Sequence, residues 1–81
     1  MDKNAVGNRI TELCNENNIT INRLAVLSQI PPSTLKNVVY GQVGNPGIDT
    51  ISKICDGLGI SIKSFFDCKL FEKEKVNETQ N

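Results

Sequence analysis

Residues 20–38 hold two short amphipathic patterns with only a few residues between them, and this spacing constrains the chain more than any other feature. Leu24 and Ala25 supply the inner face of a first helix, Ile30 plugs the turn, and Leu35 and Val38 supply the inner face of a second. Helices joined this tightly cross steeply, and the residue at a close crossing has to be small. Ala25, just before the turn, is the residue for that place. The pattern is a helix-turn-helix, with its turn motif over 20–39.

At 81 residues the chain is one small domain, and it must bury a large part of its apolar side chains to fold alone. Its hydrophobic fraction of 38% suffices for a compact helical bundle. No stretch approaches the roughly 18 apolar residues of a membrane span, and the opening Met-Asp-Lys-Asn lacks the basic segment and apolar run of a signal peptide. A cytoplasmic location is expected. Cys14, Cys55 and Cys68 are odd in number and widely spaced, which argues against a disulfide framework. With no histidine, neither a zinc site nor a cofactor is expected. Cys14 and Cys55 fall on apolar helical phases and read as small core residues.

Five helices follow from the periodicity, giving an all-α class. The first runs from about Asn4 to Asn17, with Val6, Ile10, Leu13 and Cys14 inside and Arg9 and Glu12 outside. Thr20 caps the second, which ends near Ser28; Pro32 opens the third, whose preset φ suits a first helical position. Gly41 stops the third, and the turn formers of 41–47 make a loop. Ile48, Ile51, Ile54, Cys55 and Leu58 mark the fourth helix, with Gly57 and Gly59 bracketing its end. Ser61 caps a short fifth helix carrying Ile62, Phe65 and Phe66, and from about Lys73 the composition is that of a disordered tail.

This arrangement resembles the phage Cro and repressor type of helix-turn-helix domain, the xenobiotic-response-element family. The resemblance covers residues 4–66 and includes the run from Asn45 to Phe66 with its Leu58-Gly59-Ile60-Ser61 corner. It implies a compact five-helix bundle of the lambda-repressor-like DNA-binding type, with the domain at 1–68 and a charged, partly disordered tail at 69–81. Three positions depart from the family's pattern. Gln29 stands at the turn position usually held by glycine, so a left-handed backbone there costs about 1 kcal/mol. Cys14 and Val39 stand where the family often pairs an arginine with a glutamate; both charges have gone together, which avoids stranding one of them. Ile21 replaces a glutamine that usually meets a phosphate.

The function implied is sequence-specific binding of double-stranded DNA by a small prokaryotic or phage transcriptional regulator, with the third helix, about 32–39, in the major groove. The resemblance puts Pro32, Ser33, Lys36 and Asn37 against base edges. Asn37 offers a donor and an acceptor to adenine, Lys36 reaches guanine acceptors or a phosphate, Ser33 serves either base, and Pro32 offers only apolar contact, as to a thymine methyl. Thr20, Arg23 and Tyr40 are the expected phosphate contacts, joined by backbone amides of the 41–47 loop.

Charge sets the limits of this reading. Nine basic and nine acidic residues cancel, and only two or three cations per subunit can reach DNA. A two-fold dimer would double the contacts, and the C-terminal helix and tail, with Ile62, Phe65, Phe66, Leu70 and Phe71, carry more apolar surface than anchoring so short a helix requires. The same residues would equally serve by folding back on their own bundle. Val26 and Leu27, where the family usually shows polar residues, suggest an alternative: an antitoxin-like module that uses the helix-turn-helix together with a protein partner. No constellation for catalysis is present, so an enzyme is not expected, and no sensor or catalytic domain is expected to follow.

Overall fold

The structure, a computed structural model, describes residues 4–42 and 46–72. They form helices α1 (Ala5–Glu16), α2 (Ile21–Ser28), α3 (Pro32–Val39), α4 (Ile48–Leu58) and α5 (Ile62–Phe66), followed by one 3-10 turn over Lys69–Phe71. Among the described residues there is no strand, and no helix is long and apolar enough to cross a membrane. Over the described residues the fold is all-helical with five α-helices, as the periodicity predicts. The tail beyond Glu72 and positions 43–45 of the glycine-rich loop lie outside the described residues.

Each helix sends one large side chain to the centre. Ile10, Leu24, Leu35, Ile54 and Phe65, one from each of α1 to α5, are fully buried. Ala25, Ile30 and Val38 are buried beside them, so the inner faces predicted for the helix-turn-helix are the observed ones. Cys14 and Cys55 belong to the same cluster. Burial raises both thiols above their ordinary value, with the Asp56 carboxylate adding to the effect on Cys55, so both stay protonated at neutral pH and pack as small apolar groups. The apolar pair that replaces the family's charges is also inside: Cys14 is 3% and Val39 6% exposed.

The first four helices end in the same way. Asn18, Gln29, Gly41 and Gly59 take left-handed backbones, with φ of 56°, 58°, 71° and 71°. The next amide then reaches back across the last turn: Ile19 N to Cys14 O at 3.0 Å, Ile30 N to Ala25 O at 3.0 Å, Gln42 N to Asn37 O at 2.9 Å and Ile60 N to Cys55 O at 3.0 Å. These are Schellman endings, which satisfy otherwise orphaned carbonyls while reversing the chain at the cost of a single left-handed residue. Three of the four residues that follow are isoleucines, and Ile19, Ile30 and Ile60 all pack into or against the core. Tight corners and core filling are therefore one device. At the other ends, the Thr20 hydroxyl accepts from Arg23 N at 3.0 Å and the Ser61 hydroxyl from Ser64 N at 3.0 Å, the two N-caps expected from sequence.

One expectation needs correction. Arg9 is not on the outer face but buried, 8% exposed: its Nε donates to Phe65 O at 2.6 Å, a second guanidinium nitrogen donates to Ser64 O at 2.9 Å, and the third pairs with Glu12. It caps the C-terminal carbonyls of α5, where a cation also meets the negative end of the helix. Gly57 and Gly59 bracket the end of α4 at Leu58, as the sequence predicts, with Gly59 in the left-handed stop; Gly57 also lies at the crossing with α2. A Cβ there would stand 2.5 Å from Ser28 Oγ and 3.0 Å from Ser28 N. Of the two uses open to the apolar C-terminal residues, Phe71 takes the inward one. Phe71 packs edge-on against Phe66 with ring centroids 4.7 Å apart, and lies 6.2 Å from Phe65.

The left-handed Gln29 predicts that Gln29→Gly stabilises the domain, by up to about 1 kcal/mol once the added freedom of the unfolded chain is subtracted. Urea unfolding measures it, and a destabilised variant would contradict the left-handed turn. Gly57→Ala should cost about 1–3 kcal/mol by prising α2 from α4, despite alanine's higher helix propensity. The Ser28 hydroxyl is buried and meets no hydrogen-bond partner among the described residues. Ser28→Ala should therefore be neutral or slightly stabilising, and should recover part of the Gly57→Ala loss in the double variant. Additive single effects would mean the two residues do not touch.

Candidate nucleic-acid interface

Successive residues of a helix turn by about 100°, so the inward set Leu35, Val38 and Val39 fixes what α3 presents outward. Ser33, Asn37 and Tyr40 lie opposite that set, with Lys36 on one flank and Thr34 on the other. Pro32 sits nearer the inner side by phase, yet it is exposed because it begins the helix. All four residues expected to face bases are thus exposed on one helix, brought together over its first two turns. Thr34 was not singled out from sequence and shares the exposure; its position beside the apolar Leu35 is the phase signal that marks it as a flank.

Thr20, Arg23 and Tyr40 are also exposed, Tyr40 at 65%. Thr20 and Arg23 lie together at the start of α2, whereas Tyr40 follows the last residue of α3. The Thr20 oxygen is engaged in capping α2, which leaves its hydroxyl hydrogen to offer elsewhere. The N-terminus of α3 begins differently. Pro31 and Pro32 have no N–H, so the first amide there belongs to Ser33. An anion is therefore served better by the start of α2, and the start of α3 offers prolyl rings.

The distribution of charge separates this face from the rest of the chain. Residues 17–48 contain two cations, Arg23 and Lys36, and no acidic residue. Both cations are exposed. The acids of the helical core sit elsewhere: Glu12 and Glu16 on α1, Asp49 and Asp56 on α4. Net neutrality thus conceals a helix-turn-helix that is locally positive. Arg9, held inside by two carbonyls and Glu12, is not available to this face. The helix-turn-helix also exposes Val26, at 63%, and Leu27, at 41%, both on α2.

A sequence model of the Cro/C1-type HTH DNA-binding domain matches residues 9–70. Among solved structures, the crystal structure of the prophage Lp1 protein 11 is similar to this chain. The two are 36% identical, the alignment covers 91% of this chain and 97% of that one, and the TM-score is 0.78. No curated protein sequence matches.

Proposed function

The chain belongs to the Cro/C1-type helix-turn-helix DNA-binding family, and from that premise we propose that it is a sequence-specific transcriptional regulator, prokaryotic or phage, acting in the cytoplasm with α3 in the major groove of an operator. The observation that carries this reading is the face just described: an acid-free segment whose two cations and four base-directed side chains are all exposed, on two helices joined by a turn of three residues. Asn37 reads adenine, Lys36 takes guanine acceptors or a phosphate, Ser33 supports either, and Pro32 contacts a thymine methyl. Thr20, Arg23 and Tyr40 hold phosphates and fix the register. The activity is binding without catalysis.

Two cations per subunit give weak affinity to a single copy. A two-fold dimer doubles them and sets half-sites about one helical turn apart. Phe71 packs within its own chain, so the dimer contact falls on what α5 and the following turn leave outward, Ile62, 38% exposed, and the half-buried Leu70. A second reading has its own observation. The exposed Val26 and Leu27 on α2 suit a protein partner, as in an antitoxin, and a purified chain that binds no duplex unaided would favour it.

Selection of sites from random duplexes by the purified chain tests the main reading. On the selected site, Asn37→Ala should cost about 1–3 kcal/mol and relax preference at one position per half-site, with non-specific affinity nearly unchanged. An equal loss on every sequence would reassign Asn37 to the backbone. The charge count gives a second expectation. Two cations per subunit make four per dimer, so log affinity should fall against log salt with a slope of about −4 for a dimer and about −2 for a monomer. A slope steeper than about −8 would require cations that this face does not have.

A further inference from the structure

The C-terminal end of α3 meets the N-terminal end of α1 at a junction that the DNA-contact residues do not explain. Its Schellman ending uses the carbonyls of Asn37 and Val38, taken by Gln42 N at 2.9 Å and Gly41 N at 3.2 Å. The carbonyl of Val39, the last residue of the helix, is left to other donors. Among the described residues, the side-chain amide of Asn4 reaches it, Nδ2 to O at 3.1 Å, across 35 positions of sequence. Space for this contact comes from two glycines. A Cβ on Gly7 would land on Val39 O and on the Asn4 carboxamide, and a Cβ on Gly41 would stand 3.2 Å from Asn4 Oδ1. Gly7 is buried, so α1 is held against the end of α3 by backbone contact as well as by the hydrogen bond.

Asn4 occupies the N-cap place of α1, yet its side chain makes no capping bond to its own helix. The usual local use of an asparagine at this position has been exchanged for a bond to the distant α3. We infer that Asn4 is a positioning residue for DNA recognition: together with Gly7 and Gly41 it fixes the C-terminal end of α3, and hence the angle at which Ser33, Lys36 and Asn37 enter the groove. The inference rests on the major-groove reading above. It adds a residue outside the helix-turn-helix, on an element that presents none of the proposed contacts.

The test compares the full wild-type chain with Asn4→Ala, which removes the donor, and Asn4→Asp, which puts an acceptor against Val39 O. Binding to the selected operator and to an unrelated duplex is measured at a temperature where all three are fully folded. Amide hydrogen exchange is followed on the free proteins. In Asn4→Ala the amides of Tyr40, Gly41 and Gln42 should exchange about three- to ten-fold faster, and operator affinity should fall by a similar factor. Affinity for the unrelated duplex and the salt slope should not change, and Asn4→Asp should lose more than Asn4→Ala on both measures. A merely structural role would lower the unfolding temperature and leave the ratio of operator to non-specific affinity intact. That result, or unchanged exchange at residues 40–42, overturns the inference. A loss equal on both duplexes, with a slope shallower by about one, would instead make Asn4 a phosphate contact and overturn it too. If the wild-type chain selects no sequence, the groove reading falls and takes the DNA part of this inference with it, whereas the exchange data still decide whether Asn4 holds the end of α3.

Discussion

A helix that stops must find partners for its last carbonyls within a residue or two, and in a chain that turns after every eight to twelve residues of helix this requirement recurs at each corner. Left-handed residues at 18, 29, 41 and 59 meet most of it from the backbone. Side chains meet others: Asn17 Nδ2 donates to Leu13 O at 2.8 Å, Asn4 to Val39 O and Arg9 to both Ser64 O and Phe65 O. The first of these is local. The other two tie α1 to the ends of α3 and α5, so the first helix serves as the brace of the bundle. Arg9 bears the larger share, because a charged donor in a buried hydrogen bond contributes about 1.5–3 kcal/mol and its own desolvation is offset by two carbonyls and Glu12.

The exchange of an ion pair for Cys14 and Val39 fits this arrangement. Where the family pattern often ties α1 to α3 through side-chain charges, the tie here runs from a side chain on one element to a backbone carbonyl on the other. A bond to a carbonyl is indifferent to which side chain residue 39 carries, so Val39 is free to join the core. Cys14 packs as an apolar group for as long as its thiol remains protonated. Because burial raises the folded thiols above their unfolded value, the stability they contribute is complete below the ordinary thiol range and is lost as pH rises through the raised value.

What was legible in the sequence was local. The inner faces of the helices and the hydroxyl caps at Thr20 and Ser61 depend on neighbours within five residues and are found where the pattern puts them, whereas the left-handed Gln29 was implied by the family's glycine at that turn. Arg9 and Asn4 were illegible because their partners lie 56 and 35 positions away. Arg9 flanks the apolar stripe of α1, and only the arrival of α5 turns that flank inward. The packing role of Gly57 was hidden for the same reason. A glycine near a helix end looks like a stop, and its close approach to Ser28 exists only once α2 crosses α4. Exposure of Ser33, Lys36 and Asn37 follows from the phase of α3, whereas the base each would meet depends on how that helix is held.

That dependence links the charge of the chain to the braces of the fold. A regulator with many phosphate contacts tolerates a slightly misplaced recognition helix, because most of its affinity is independent of sequence. A chain with net charge zero and two cations on the face proposed to meet DNA has no such reserve. On that proposal, discrimination comes from a few hydrogen bonds to base edges, which weaken steeply once alignment is lost. A protein of this kind gains more from rigidity at the ends of α3 than from added lysines. Both ends are fixed: the first by Pro32, whose ring presets the backbone of the opening turn, and the last by Gly41 and the amide of Asn4.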